Sequence, residues 1–296
     1  MKHTVEDLKG QRIWLVGGSE GIGLELVKQL LERGVQLVVS ARNAEQNSGL
    51  LALQSPHGNL LALLDCDVMQ KQSLPNTIDQ AWSVFNGLDG WIYNAGSYQA
   101  MRLDEWSIDS FEQMNRVNYL GAVYLMNGLL PYFLNAQESC TVSSSVSSTT
   151  SPTTKPAVTP QWLWNISLAS DFGLPYGGGY SAPKAALQNL AESLRPELAE
   201  AGIDLKVVNH GFVKTRLTAK NDFPMLGLMT PTLAAEKIVQ ALLKRSFESR
   251  FPFNLSLVLT VLKRLPKSWA LFLTQKMLTA APSNPTTPPS KVEKDL

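Results

Sequence analysis

The chain has 296 residues, 44% hydrophobic and 17% charged, which is enough to bury one large core and reads as a single domain with appendages. A formal net charge of +1 supplies no concentrated basic face, so no nucleic-acid partner is expected and small-molecule chemistry takes its place. Cys66 and Cys140 stand apart from each other and from the three histidines, which excludes a disulfide framework and any zinc-ligand spacing; no metal is expected.

Residues 1–10 carry alternating charge and no apolar signal core, so the chain is expected to stay in a reducing, cytoplasmic compartment. Arg12 to Val16 is then a short apolar run, Leu24 to Leu31 has helical spacing, and Val35 to Ser40 is apolar and β-branched. The alternation returns at Leu60 to Leu64, Gly90 to Tyr93, Phe111 to Leu134, Trp162 to Ile166 and Leu205 to Val208. Apolar strands recurring between helices predict an α/β fold, a doubly wound parallel sheet of the Rossmann type, with ligands at the carboxyl ends of its strands. The domain is expected over 9–250. Residues 137–160, rich in Ser, Thr and Pro, read as a surface insertion too Pro-rich for a helix, and 281–296 as a disordered tail. Between them, 251–280 is an apolar extension. Its longest uncharged run, Phe251 to Leu262, is too short to span a bilayer, and the segment fits a lid, a subunit contact or a peripheral membrane contact through 251–277.

Gly17-Gly18-Ser19-Glu20-Gly21-Ile22-Gly23 follows the first strand and opens the first helix. Glycine there lets backbone N–H groups and the helix dipole face a pyrophosphate. The second strand ends Ser40-Ala41-Arg42-Asn43, where a carboxylate would select NAD; Arg42 instead offers a charged fork for a 2′-phosphate, which predicts NADP(H). Tyr180 and Lys184, four residues apart, share one helix face and together make a general acid/base, with the ammonium lowering the phenol's proton affinity.

The glycine turn, Tyr93-Asn94-Ala95-Gly96, Val117-Asn118-Tyr119-Leu120-Gly121 and Tyr180-Ser181-Ala182-Pro183-Lys184 occur in the order seen in short-chain dehydrogenases/reductases. The chain resembles that family from about Lys9 to Leu243. The resemblance implies that Asn118 bends its helix to hold a relay water and that Lys184 binds the nicotinamide ribose. It further implies that Asn94, Ala95 and Gly96 floor the cofactor site, that Asp67 and Val68 flank the adenine, and that Val213 and Thr215 hold the carboxamide. Its serine stands about thirteen residues before the tyrosine, which selects Ser167 over Ser143, Ser144 and Ser145. It also implies a homo-oligomer. The departures are Val16, Tyr93, Pro183 and His210; Pro183 is tolerable in the first turn of its helix, and lone His210 reads as structural.

The function expected is hydride transfer between NADPH and a carbonyl or secondary alcohol, in the reductive direction. The alternative is a catalytically silent nucleotide-binding sensor or scaffold on the same fold. Phe223, Met225, Leu226, Leu228 and Met229 suggest an apolar lid and a lipophilic substrate, although the same residues would serve as core or subunit contact.

Overall fold

The computed structural model describes residues 8–146, 159–219, 221 and 223–279. Seven strands form one parallel sheet: β1 (Arg12–Val16), β2 (Gln36–Ala41), β3 (Leu61–Asp65), β4 (Gly90–Tyr93), β5 (Gln161–Asn165), β6 (Asp204–His210) and β7 (Glu248–Phe251). They lie in the order β3-β2-β1-β4-β5-β6-β7, so the winding reverses between β1 and β4. Crevices outside the strand ends at such a reversal are where doubly wound folds bind ligands.

Side chains alternate across the sheet as the period of two requires. Ile13, Leu15, Leu37, Val39 and Leu163 face a core closed by α1 (Gly21–Leu31) and α7 (Pro231–Leu243). Trp14, Trp91, Trp162 and Trp164 face the opposite core, closed by α3 (Leu74–Ser83), the long helix α5 (Gly121–Val146) and α6 (Gly178–Glu200). The indoles pack edge to face, Trp91 against Trp162 at 5.4 Å and 87°, a geometry their ring quadrupoles favour. Trp14 donates its indole N–H to Ser40 Oγ at 2.9 Å, locking β1 to β2 just before the glycine turn. The remaining helices are α2 (Ser48–His57), α4 (Ile108–Asn115), α8 (Phe253–Arg264) and α9 (Lys267–Thr279).

Three expectations need correction. The sheet gains β7, which the sequence reading passed over because Glu248-Ser249-Arg250-Phe251 is half charged and lacks an apolar run. The segment 137–160 is not wholly a loop: α5 runs on to Val146, because Pro152, Pro156 and Pro160 all lie beyond it. Its residues 147–158 lie outside the described residues, as does the tail 281–296. The apolar extension is two helices, of which α8 packs Leu255, Leu259 and Leu262 onto Leu168 and Phe172. No helix among the described residues is long and apolar enough to cross a membrane, and none of their His, Cys, Asp and Glu side chains cluster as a metal site.

Candidate active site

A cavity of about 1010 Å³ opens along the carboxyl ends of β1, β2, β4, β5 and β6. At one end lies the glycine turn. Gly17 sits at φ +94 and Gly21 at φ +56, left-handed conformations that cost a side chain strain. A Cβ on Gly17 would stand 2.5 Å from the Ala95 nitrogen, and one on Gly23 would collide with the Gly17 carbonyl. Asn94 Nδ2 donates to Gly17 O at 2.7 Å, and Asn165 Nδ2 donates to Asn94 Oδ1 at 2.7 Å, so β4 and β5 hold the turn open. The first turn of α1 receives no side-chain cap from Glu20, which leaves its N–H groups facing the cavity. The Glu20 carboxylate instead accepts two bonds from Arg216, at 2.7 and 2.9 Å, which tie the turn to the segment after β6.

Ser19, Glu20, Gly21 and Ile22 line this end; Gly23 backs it without reaching the wall. Arg42 is exposed at the end of β2 and lines the cavity, with Asp67, buried Val68, Ala95 and Gly96 along the adjoining wall. Asn43 does not reach it, a correction to the sequence reading: the chain turns there into a 3₁₀ helix at Ala44–Gln46, and Asn43 points to solvent.

At the other end stand Ser167, Tyr180 and Lys184. Ser167 lies two residues past β5, where the Asn209 side-chain oxygen accepts its backbone N–H at 3.2 Å and its hydroxyl donates to His210 O at 3.3 Å. Enclosure by protein pushes the Tyr180 phenol up to about 12, while a side-chain hydrogen bond with Ser167 pulls it down and neighbouring Tyr98, edge-on at 5.1 Å, adds to the rise. Lys184, 3% exposed, donates to Asn165 O at 2.9 Å; burial brings its ammonium down to about 7. The ammonium lies 5.8 Å from the Tyr180 ring centre. The expected lowering of the phenol by Lys184 is therefore not what the isolated chain shows, because burial weakens the lysine's own charge and dominates the phenol.

Asn118 is fully buried behind the wall, which Val117 lines in its place. It sits in a π-helical turn, Arg116–Leu120, where the Gly121 N–H reaches back to Arg116 O. Its amide exchanges bonds with Ser97, Nδ2 to Ser97 O at 2.7 Å and Ser97 N to Oδ1 at 2.9 Å, fixing the loop after β4. Pro183 corrects another expectation: it lies in the second turn of α6, not the first, and removes the helical bond to the Gly179 carbonyl. His210 remains neutral, since burial lowers it to about 4, and its Nδ1 donates to Gly211 O at 2.7 Å. Val213 pairs with Met229 in an isolated bridge, and Thr215 lines the cavity. That bridge buries Met229, so of the expected lid residues only Phe223 and Leu226 reach the wall, while Met225, Leu228 and Met229 do not. Sequence reasoning missed Tyr98, Asn165 and Asn209, and also Leu255, Leu259 and Leu262 of α8 in the wall. Tyr98 could have been found from its place two residues after the Asn94-Ala95-Gly96 turn.

The residues fit a dinucleotide: a cradle that a Cβ would fill, uncapped helix N–H groups beside it, and a cation at the ribose end. This fold and site define a nicotinamide-dependent oxidoreductase. The family model described as short chain dehydrogenase matches residues 11–158 and 165–224. The chain belongs to that family. A Drosophila melanogaster "dehydrogenase/reductase SDR family protein 7-like" is 26% identical over 80% of this chain and 71% of its own length. A Myxococcus xanthus uncharacterized oxidoreductase is 27% identical over 85% and 91%. Among solved structures, a short chain dehydrogenase from Burkholderia cenocepacia in complex with NADP superposes with TM-score 0.72 at 19% identity, covering 90% of this chain and 98% of that one. A 3-ketoacyl-(acyl-carrier-protein) reductase from Brucella melitensis complexed with NADH gives 0.69 at 18%, covering 84% and 99%.

Proposed function

We propose that the protein is an NADPH-dependent reductase of lipophilic carbonyl compounds, with Tyr180 as the acid, Ser167 as its partner on the carbonyl oxygen, and Lys184 and Asn118 in support. The observation that carries this reading is the pairing of Tyr180 with Ser167 in the cavity wall away from the glycine turn, one helical turn from Lys184. A nicotinamide dinucleotide bound along the cavity supplies the hydride. The Ser167 hydroxyl and the Tyr180 phenol then converge on the substrate oxygen, and a phenol held near 12 stays protonated at neutral pH, ready to give its proton as negative charge develops. Asn165 O orients Lys184, whose ammonium is placed to hold the ribose hydroxyls. Asn118 fixes the Ser97 loop and thereby the floor below Tyr180.

NADPH rather than NADH is favoured by Arg42 at the β2 end, a planar cation with no carboxylate beside it in sequence. The neighbours themselves divide, one in complex with NADP and one with NADH. Apolar walls from Phe212, Phe223, Leu255 and Leu259 favour a lipophilic substrate. A homo-oligomer is carried over from the family resemblance. The test is NADPH oxidation against straight-chain methyl ketones of rising length. Wild type gains kcat/KM with chain length, and Tyr180→Phe loses about 100- to 10,000-fold. Equal turnover in the variant, or nucleotide binding with no turnover on any ketone, removes the reading.

A further inference from the structure

Helices α8 and α9 expose apolar side chains that the cavity does not need. On α8, Phe253, Leu257 and Val261 recur every four residues and form an outward stripe, with Phe253 78% exposed. On α9, Ala270 and Thr274 are the buried side chains among those described, while Trp269 (67% exposed), Leu271, Phe272, Leu273 and Leu278 face outward. A helix apolar on most sides is normally covered, and a contiguous exposed apolar surface marks a docking face.

Charge says what covers it. Between 249 and 279 there is no Asp or Glu, whereas Arg264, Lys267 and Lys276 lie on these two exposed helices beside Lys263, which pairs with Asp171 at 3.8 Å. The whole chain carries only +1, so this cationic excess is local. Aromatic and leucine side chains flanked by lysine and arginine, on helices too short to span a bilayer, match a helix pair lying in the interface of an anionic membrane.

The cavity opens within the same face. Val258, Leu273 and Leu278 are at once exposed and part of the cavity wall, so the apolar surface continues inward to Leu255 and Leu259. We propose that α8 and α9 seat the protein on an anionic lipid surface and that the cavity takes its substrate, a carbonyl lipid, directly from that surface. The substrate clause rests on the reductase reading; the surface clause does not.

The test uses the full chain in flotation with vesicles of phosphatidylcholine alone and of phosphatidylcholine with about 30% phosphatidylserine, whose negative surface potential attracts basic segments. Two variants change only outward positions, Arg264→Glu/Lys276→Glu and Phe253→Ser/Trp269→Ser/Phe272→Ser. Reduction of a short water-soluble ketone and light scattering are measured alongside. The expected result is partitioning about tenfold stronger on the anionic vesicles, lost about tenfold in both variants, with reduction of the soluble ketone within twofold of wild type. Wild type that stays off both vesicles, or binds them equally, overturns the surface. A triple variant that turns a dimer into a monomer assigns the face to a second copy and overturns it too. Vesicle binding by a protein that reduces no ketone leaves the surface standing and removes the reductase reading alone.

Discussion

Replacing Lys184 with Met should stabilise the protein at neutral pH while destroying its activity. The ammonium is brought from an ordinary 10.5 to about 7 by burial. Each tenfold change in proton affinity is worth about 1.4 kcal/mol, so keeping the charged form in the folded site costs about 5 kcal/mol below pH 7. Methionine fills a similar volume without that cost but strands the Asn165 carbonyl, which loses its 2.9 Å donor at a penalty of about 1–3 kcal/mol. The net gain is about 2–4 kcal/mol at pH 7. Between the folded value near 7 and the unfolded value near 10.5, the unfolded chain binds more protons, so wild type gains stability as pH rises through that window. The variant lacks this gain, so its advantage shrinks by about 1.4 kcal/mol per pH unit, vanishes between about pH 8.5 and 10, and turns into a deficit of about 1–3 kcal/mol by pH 10.5, where only the stranded Asn165 carbonyl remains. Urea unfolding followed by the fluorescence of the buried tryptophans, at pH 7, 8.5 and 10 for both proteins, measures the difference. A variant no more stable than wild type at pH 7, or a difference that does not change with pH, refutes the reasoning.

Other perturbations separate the two ends of the cavity. Arg42→Ala should weaken NADPH about ten- to a hundredfold in a fluorescence titration, as expected for losing charge-assisted bonds worth about 1.5–3 kcal/mol, with NADH unchanged; equal losses for both nucleotides would take the 2′-phosphate from Arg42. Gly17→Ala should abolish binding of both nucleotides and lower the Tm, because its Cβ would meet the Ala95 nitrogen at 2.5 Å and its φ of +94 adds about 1–3 kcal/mol of strain. An alanine variant with wild-type affinity would mean that the turn is not the cradle. Asn209→Leu strips the Ser167 N–H of its acceptor and should lower kcat about tenfold at constant nucleotide Kd; loss of nucleotide affinity instead would make Asn209 a general fold residue. Alcohol oxidation, which needs the phenolate, should rise as pH rises above 7, because burial holds the phenol above its ordinary value, whereas reduction, which uses the protonated phenol, should not rise over the same range; an oxidation rate independent of pH would remove Tyr180 as the base.

The features legible in the sequence are those whose physics is local. The glycine turn announces itself because its φ values and close backbone approach admit little else, and the apolar runs of β1, β2 and β5 reflect strands buried on both faces. Ser167 stood apart from Ser143, Ser144 and Ser145 only through the family's thirteen-residue spacing to the tyrosine, and the fold brings its side chain into hydrogen-bond contact with Tyr180. What stayed hidden depends on partners far along the chain. Strand β7 pairs its charged residues with β6 and with Asp171, so its pattern looks like a loop. Asn43 sits beside Arg42 in sequence, and only the 3₁₀ turn at Ala44 separates their directions. The proton affinities of Tyr180 and Lys184 follow from enclosure by several elements, which a four-residue spacing cannot report.

The apolar extension is joined to the chemistry by polar contacts as well as by the cavity wall. Asn209 receives the Ser167 N–H and donates to Glu248; Glu248 accepts from Arg250 at 2.8 Å, and Arg250 pairs with Asp171 and donates to Ser256 of α8. Asp171 is almost wholly enclosed, so removing Arg250 would leave its buried carboxylate only the more distant Lys263 at 3.8 Å, a more damaging change than losing a surface pair. Ser167 and the helix proposed to rest on lipid are thus fixed to one framework across β6 and β7. A chain cut after Phe251 loses the Leu255, Leu259 and Leu262 wall and two of the hydroxyls around Arg250 together, and would fail at substrate and surface at once. Changes confined to outward Phe253, Trp269 and Phe272 leave that framework in place, which is why they separate surface attachment from turnover and truncation does not.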